Sequence, residues 1–178
     1  MLNILVAYDK NRVIGDRDTI PWRLPEDMRL FKERTLGSIC FMGRKTWESF
    51  RNAPKPLFFL PGRTNVIITS ESSKYSKQYA EQIGDNPVYF VSLEQALRVS
   101  QALKTKPSSE LYVIGGSQIY SEFLKSGWVD QVIASEVEGE HEGDAFFPEL
   151  PEGFVPLSSR DYSGFKVVHY SKKEGIPL

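Results

Sequence analysis

A carboxylate stands near the start of a predicted helix, among residues that are mostly apolar. Pro25 suits the first position of a helix, so we predict that residues 26–35 are helical. At about 100° per residue, Asp27 falls on the apolar side, which includes Met28 and Phe31. Loss of hydration there would raise the pKa of the carboxyl group unless a partner compensates. A ligand edge rich in N–H groups would compensate through two hydrogen bonds, whereas the structural alternative is that the acid complements the helix dipole.

Two junctions between a predicted strand and a predicted helix carry features of an anion site. In residues 43–46, Gly-Arg-Lys-Thr, the free N–H groups of a helix start are joined by two cations and a hydroxyl. In residues 115–116, two glycines let the backbone approach a ligand closely because they have no Cβ atom. Each junction has a structural alternative, namely solvated surface charges and a tight turn. If both lie at the carboxyl ends of parallel strands, one ligand can span them.

A nucleotide that carries a 2′-phosphate suits these junctions better than NAD does. Thr69 and Ser70 end a third predicted strand, and Ser70 would join Arg44 and Lys45 around a ribose 2′-phosphate. NAD sites typically place an acidic residue at that position. The dinucleotide motif G-x-G-x-x-G is absent from the chain, which disfavours a Rossmann site.

Other chemically active residue types give weaker indications. Trp22 precedes the first helix in a Pro-flanked loop, where its indole either packs in the core or holds a water at the site through its N–H group. The acid-rich residues 136–144 fit a solvated strand and loop better than a metal site. Two histidines, His141 and His169, and the single Cys40 give no support for zinc ligation or a Cys-His nucleophile. We therefore expect no metal, and Cys40 to be a small core residue.

Alternating strands and helices must position these residues. Short apolar runs predict six strands, over residues 4–8, 39–42, 65–69, 88–91, 111–114 and 129–137. Predicted helices cover residues 26–35, 44–50, 93–104 and 117–125, and this order favours a largely parallel sheet in an α/β domain. Residues 72–87 predict a polar surface excursion that has room for a short helix. The runs 155–160 and 165–170 flank a turn and predict an antiparallel hairpin at one edge.

Composition is that of an ordinary globular protein. The 178 residues, 40% of them hydrophobic, can bury a full core, so we expect a single domain over residues 1–178. The formal net charge of -1 gives no general attraction to nucleic acid or anionic lipid. One cysteine, no signal-peptide pattern and no apolar run that could span a membrane favour a reducing cytoplasm.

Taken together, the motifs resemble the dihydrofolate reductase family, particularly its bacterial members. The matching segments are ILVAYDKNRVIG (4–15), IPWRLPEDMRLFK (20–32), FMGRKTWESF (41–50), LPGRTNVIITS (60–70), ELYVIGGSQIYSEFL (110–124) and GDAFFPE (143–149). The resemblance implies an α/β domain with a mixed, mostly parallel sheet of about eight strands, about four flanking helices and an antiparallel C-terminal edge hairpin. It implies NADPH-dependent reduction of 7,8-dihydrofolate to 5,6,7,8-tetrahydrofolate, and we expect a monomer.

The resemblance also implies roles for single residues on the substrate side. Asp27 is expected to bind the amino-oxo edge of the pterin and to promote protonation of N5 while hydride reaches C6. Trp22 is expected to orient a water, and Ser135 to hydrogen-bond the carboxylate of Asp27. Arg63 is expected to hold the α-carboxylate of the glutamate tail, and Lys32 to touch the same tail. The pterin and benzoyl pocket should be lined by Leu5, Val6, Ala7, Met28, Phe31, Phe50, Leu60 and Ile114.

The resemblance to the family also implies which residues bind NADPH. The residues expected to bind NADPH are Ala7, Ile14, Gly15, Asp18, Thr19, Ile20, Gly43, Arg44, Lys45, Thr46, Thr69, Ser70, Gly115, Gly116, Ser117, Gln118, Ile119 and Tyr120. The Gly115–Gly116 bond matches a cis peptide of the family. Residues 13–22 should form a lid that excludes water from the nicotinamide, and Asp144 should accept hydrogen bonds from the lid backbone near Gly15 and Asp16.

One departure from the family and two rival functions stay open. The segment RNAPKPLFF adds residues between Phe50 and Leu60, so either Leu57 or Leu60 occupies the benzoyl contact. A pterin or riboflavin-pathway reductase of the same fold would not need the pair of Trp22 and Asp27. A non-catalytic NADP-binding module would need the glycines but no acid on the pocket face of the first helix.

Overall fold

The computed structural model describes residues 1–17 and 19–173. These residues form ten strands: β1 (Leu2–Tyr8), β2 (Val13–Gly15), β3 (Ile39–Gly43), β4 (Thr64–Ile68), β5 (Val88–Val91), β6 (Leu111–Val113), β7 (Gln131–Val137), β8 (Ala145–Phe146), β9 (Phe154–Tyr162) and β10 (Phe165–Lys172). They also form six helices: α1 (Pro25–Thr35), α2 (Arg44–Arg51), α3 (Ser72–Gln78), α4 (Ala80–Ile83), α5 (Leu93–Lys104) and α6 (Ser117–Lys125).

Eight strands make up one mostly parallel sheet. Their order is β5-β4-β3-β6-β1-β7-β10-β9, and the short strands β2 and β8 pair separately. The neighbours from β5 to β7 run parallel, whereas β10 is antiparallel to both β7 and β9. The predicted mixed sheet and antiparallel edge hairpin are therefore confirmed.

The predicted elements lie where the sequence placed them, to within two residues at each end. Two differences remain. The short strands β2 and β8 were not predicted, and residues 72–87 contain the two short helices α3 and α4 beside the four that were expected. Local signals explain the main helix boundaries. Pro25 occupies the first turn of α1, and α5 begins with a capping box between Ser92 and Gln95.

Each face of the sheet carries its own hydrophobic cluster, because side chains alternate along a strand. One cluster contains Ile4 and Val6 of β1, and the other contains Leu5 of the same strand. Cys40 is fully buried in the second cluster, as expected for a small core residue. Helix α1 packs on the second face, since Leu30 and Phe31 contact that cluster. Within the described ranges, no helix is both long enough and apolar enough to cross a membrane.

Candidate active site

The carboxylate of Asp27 lies against the sheet rather than in bulk solvent. Ser135 Oγ of β7 donates a hydrogen bond to Asp27 Oδ1 at 2.5 Å, and Ser135 is 5% exposed. Burial raises the pKa of the Asp27 carboxyl, while the Ser135 hydroxyl and the positive charge of Arg34 act in the opposite direction. The site thus holds a half-buried acid whose charged form is only partly compensated by the protein.

The strand register places two predicted pocket residues beside this acid. Ala7 of β1 is directly opposite Ser135, and Leu5 is opposite Ile133 on the same face. Val6 is opposite Ala134 and packs in the cluster on the other face. Alternation along β1 therefore turns the Val6 side chain away from Asp27, and the contact of Val6 with substrate stays a prediction.

Helix α1 shields the acid less than the helical pattern predicted. Phe31 is half-buried and packs against the cluster that contains Leu5, but Met28 is 66% exposed. The expectation that Met28 helps to bury Asp27 is wrong, since it lies about 100° around the helix from Asp27 and outside the packed stripe. Its contact with substrate stays a prediction.

The Trp22 ring contacts an imidazole that a buried acid holds in place. The Trp22 and His141 rings meet edge to face, with 5.1 Å between centroids. Asp9 Oδ2 accepts hydrogen bonds from the backbone N–H of His141 at 2.7 Å and contacts its Nδ1 at 3.1 Å. The Asp9 side chain is fully buried, and the hydrogen bonds that it accepts hold the pKa of its carboxyl below the usual range. His141, from the acid-rich loop, thus contacts an aromatic residue of the predicted site.

The predicted lid is fastened to the loop after β7. The backbone N–H of Arg17 donates to Asp144 Oδ1 at 3.2 Å, and the N–H of Asp144 donates to Gly15 O at 3.0 Å. Ile20 is 65% exposed, so the outer part of this segment is open to solvent. A Cβ atom on Gly143 would stand 2.5 Å from Gly15 O, so only glycine allows this approach. Asp18, which was expected to bind the cofactor, lies outside the described residues.

A buried arginine lies beyond the far end of α1. Arg63 is 6% exposed, and its Nη1 donates to Thr35 Oγ1 at 3.1 Å while its Nε donates to Pro61 O at 2.9 Å. Burial lowers the pKa of the guanidinium. No carboxylate within the described part of the chain forms a salt bridge with Arg63, and Lys32 of the same helix is exposed.

The two leucines that could contact the benzoyl group differ sharply in exposure. Leu60 is 5% exposed and belongs to the second cluster, against which Phe50 packs. Leu57 is 42% exposed, and its backbone N–H donates to Phe50 O at 3.0 Å. Leu57 therefore has side-chain surface free for a ligand beside Phe50, whereas Leu60 is mostly part of the core.

The two glycine junctions meet at the carboxyl ends of β3 and β6. The N–H of Gly43 donates to Gly115 O at 2.8 Å, and the Gly115–Gly116 peptide bond is cis, as the resemblance implied. A Cβ atom on Gly115 would lie 3.2 Å from Thr46 Oγ1, and Gly43 is similarly close to Ile119. Tyr120, another residue expected to bind NADPH, contacts β1: its hydroxyl donates a hydrogen bond to Leu5 O at 2.9 Å.

Both helices that start at these junctions leave their first N–H groups available. Gly43 and Gly116 are the N-cap residues of α2 and α6, and neither helix has a side-chain cap. Uncapped N–H groups and the helix dipole favour an anion here. Arg44 is paired with Glu48 at 2.8 Å, while Lys45 is exposed.

The other residues expected to bind NADPH differ in their exposure to solvent. Thr69 is 8% exposed and accepts from the N–H of Glu71, and Ser70 is exposed. Ser117 Oγ donates to Phe146 O at 2.7 Å, which ties the start of α6 to β8. Ile14 is half-buried, and Thr19 and Gln118 are exposed. Ile114, which was expected to line the pterin and benzoyl pocket, is 9% exposed.

The sequence did not predict the contacts between residues that are far apart along the chain. Asp9 and His141 are separated by 132 positions, and no local pattern connects them. Gly143 had a usable signal, since a glycine directly before the predicted lid partner Asp144 suggests a close backbone approach.

Comparison with known proteins agrees with this geometry. A family model described as dihydrofolate reductase matches residues 1–167. Dihydrofolate reductase HdrB of Haloferax volcanii is 35% identical over 174 residues, covering 96% of this chain and 83% of that protein. The dihydrofolate reductase of Bacillus subtilis is 34% identical over 161 residues, covering 90% of this chain and 83% of that protein.

A solved structure shows the same similarity in three dimensions. Dihydrofolate reductase from Enterococcus faecalis, complexed with NADP(H) and RAB-propyl, superposes with a TM-score of 0.73 at 26% identity. The match covers 98% of this chain and 97% of that one. The family predicted from the sequence motifs is therefore confirmed, and the chain belongs to the dihydrofolate reductase family.

Proposed function

We propose that this chain reduces 7,8-dihydrofolate to 5,6,7,8-tetrahydrofolate with NADPH, and that Asp27 is the residue that binds and activates the pterin. The observation that carries this proposal is the half-buried Asp27 carboxylate, which accepts a hydrogen bond from Ser135 of β7. A pterin edge with N–H donors would supply the partners that this carboxylate otherwise lacks.

The residues at the two glycine junctions fit NADPH. Two uncapped helix starts and a backbone with no Cβ atoms suit a diphosphate, and Arg44, Lys45 and Ser70 suit the 2′-phosphate. NADPH supplies the hydride that reduces pterin C6 when it is bound. Gly43, Thr46 and the residues at 115–120 would hold it across the strand ends.

Asp27 would act on the pterin through its charge. By accepting N–H hydrogen bonds, the ionised carboxylate would polarise the ring and make N5 more basic in the transition state. The proton would reach N5 through a water, with Trp22 as the residue that orients it. Residues 13–22, fastened through Asp144, would close over this region and exclude further water.

Arg63 would bind the carboxylate end of the substrate. A buried guanidinium with no acidic partner in the described chain needs an anion to compensate its charge. Phe31, Phe50 and Leu57 would contact the benzoyl group between the two ends, with Leu57 favoured over Leu60 because of its exposed surface. The single domain over residues 1–178, the monomeric state, the absence of a nucleic-acid partner and the cytoplasmic location stay predictions.

The test is the variant Asp27→Asn in an absorbance assay with dihydrofolate and NADPH. We expect it to fold and to bind NADPH, but to lose most turnover at neutral pH and to recover part of it at low pH, where the substrate is already protonated. Glu26→Gln is the matched control, because it removes an exposed carboxylate from the same turn of α1. Unchanged steady-state rates in Asp27→Asn would refute the proposed role.

A further inference from the structure

A basic groove lies between α1 and the hairpin formed by β9 and β10. Its volume is about 300 Å³, and its walls include Arg34, Ser158, Arg160, Tyr162 and His169. No carboxylate lines the groove in the described part of the chain. The surface therefore gathers two guanidinium groups, an imidazole and hydroxyl groups around one space.

The strand register explains why these side chains share one face. His169 of β10 is paired with Ser158 of β9, and Val167 is paired with Arg160. Directly paired residues point to the same side of a sheet, and Val167 is also paired with Ser135. The groove thus lies on the face that carries Asp27, with Arg34 about two helical turns further along α1.

The arginines of the groove are charged groups without a salt-bridge partner in the described part of the chain. Arg34 and Arg160 form no salt bridge with any carboxylate in residues 1–17 and 19–173. By contrast, Arg29 on the exposed side of the same helix is paired with both Glu26 and Glu33. Arg160 rests instead on the ring of Tyr162, with its guanidinium carbon 5.2 Å from the centroid.

Like charges in a partly buried space repel one another. Arg34 and His169 are both half-buried, and burial together with the charge of Arg34 lowers the pKa of the His169 imidazole. An anion in the groove would neutralise Arg34 and Arg160 and would accept hydrogen bonds from them. The titratable groups that line the groove with His169 are Arg34 of α1 and Arg160 and Tyr162 of β9.

We propose that this groove is a binding site for a small oxyanion of the phosphate type. Two planar guanidinium groups and the Ser158 hydroxyl provide more donors than a single carboxylate can use, and a phosphate offers three or four acceptor oxygens to them. The site is separate from the NADPH phosphates, which belong at Arg44, Lys45 and the helix starts.

An anion bound in the groove would also change the pKa of the Asp27 carboxyl. The charge of Arg34 stabilises the ionised form of Asp27, so a bound anion that neutralises Arg34 would raise the pKa of the Asp27 carboxyl. Phosphate would then shift the pH dependence of turnover to higher pH. This second consequence rests on the proposed function, whereas the binding itself does not.

The two histidines make the binding test specific. The chain has only His141 and His169, so their ring resonances can be assigned in an NMR titration with one variant, His169→Gln. Inorganic phosphate is added to protein saturated with NADPH, so that the cofactor's phosphate sites are already filled. We expect the His169 resonances to move and the pKa of its imidazole to rise, while the His141 resonances stay in place.

Charge variants separate a site from simple ionic screening. Arg34→Gln and Arg160→Gln should each weaken phosphate binding about tenfold or more, because each removes charge-assisted hydrogen bonds. Lys166→Gln is the matched control, since Lys166 lies on the same hairpin but points to the other face of the sheet. Arg160 is exposed on the edge strand, so its variant should fold even if the Arg34 variant does not.

Two results would overturn the proposal. The His169 resonances could respond to sodium chloride at equal ionic strength as strongly as to phosphate, or Arg160→Gln could bind phosphate as tightly as the unaltered chain. If binding is observed but the pH profile of turnover does not move, the site stands and its coupling to Asp27 is refuted. An unaltered chain that binds phosphate in the groove but does not reduce dihydrofolate would count against the proposed function and not against the groove.

Discussion

Removal of the Ser135 hydroxyl tests how the protein tunes its catalytic acid. In Ser135→Ala, Asp27 loses the 2.5 Å hydrogen bond that stabilises its ionised form. A hydrogen bond to a charged group contributes about 1.5–3 kcal/mol, and about 1.4 kcal/mol corresponds to a factor of ten. The ratio of ionised to protonated Asp27 should therefore fall by roughly one to two orders of magnitude at a given pH. The pKa of the carboxyl rises, because the bond favours the charged form that is now less stable.

The assay is the pH dependence of kcat/KM for dihydrofolate, measured by absorbance with saturating NADPH. We expect the inflection that reports the essential acid to move to higher pH in Ser135→Ala. Ser135→Thr is the control, because it keeps the hydroxyl and should leave the inflection near its original position. An inflection that is the same in Ser135→Ala and the unaltered chain would mean that Asp27 does not control the profile, or that Ser135 does not stabilise its charge.

Three further perturbations follow from burial and close contact. Asp27→Asn should increase the free energy of unfolding at neutral pH. The pKa of the Asp27 carboxyl is raised in the folded state, so its ionisation destabilises the fold as the pH rises through that pKa. Urea melts at neutral and acid pH should show the gain in stability only at neutral pH. Leu60→Ala should lower the free energy of unfolding by about 2–5 kcal/mol in urea melts. Leu57→Ala should instead mainly raise KM for dihydrofolate. An equal loss of stability in both variants would contradict the different burial of the two leucines. Gly143→Ala should weaken lid closure, because the Cβ atom of the new alanine would lie 2.3 Å from Val13 Cγ1. The expected result is a raised KM for NADPH. Unchanged kinetics would show that the loop that contains residue 143 adapts freely.

The elements that carry the site could be predicted from local sequence, but the contacts between them could not. Pro25 and the helical spacing placed α1 and Asp27 correctly. The hydrogen bond between Asp27 and Ser135 joins residues 108 positions apart, and it depends on how α1 packs against β7. No local pattern fixes that packing, so only the resemblance to a family suggested the contact.

Val6 and Met28 show where a matched motif says too little about the direction of side chains. Val6 belongs to a segment that matches the family, yet strict alternation along β1 sends its side chain to the opposite face from Leu5 and Ala7. This could have been predicted from the strand pattern alone. Met28 required the packing angle of α1 on the sheet, which the helical wheel does not give.

Helix α1 sets the distance between the two charged ends that a substrate must match. Asp27 is in its first turn, and Thr35, which bonds Arg63, ends it, so the two positions are about 12 Å apart along the axis. Within the described residues neither Asp27 nor Arg63 has an oppositely charged residue in a salt bridge. A substrate that compensates both must therefore carry N–H donors at one end and a carboxylate at the other, with an apolar middle that can lie along Phe31. A bare pterin satisfies only the Asp27 end, which is why Arg63→Gln should weaken binding of dihydrofolate but leave binding of a pterin without the glutamate tail unchanged.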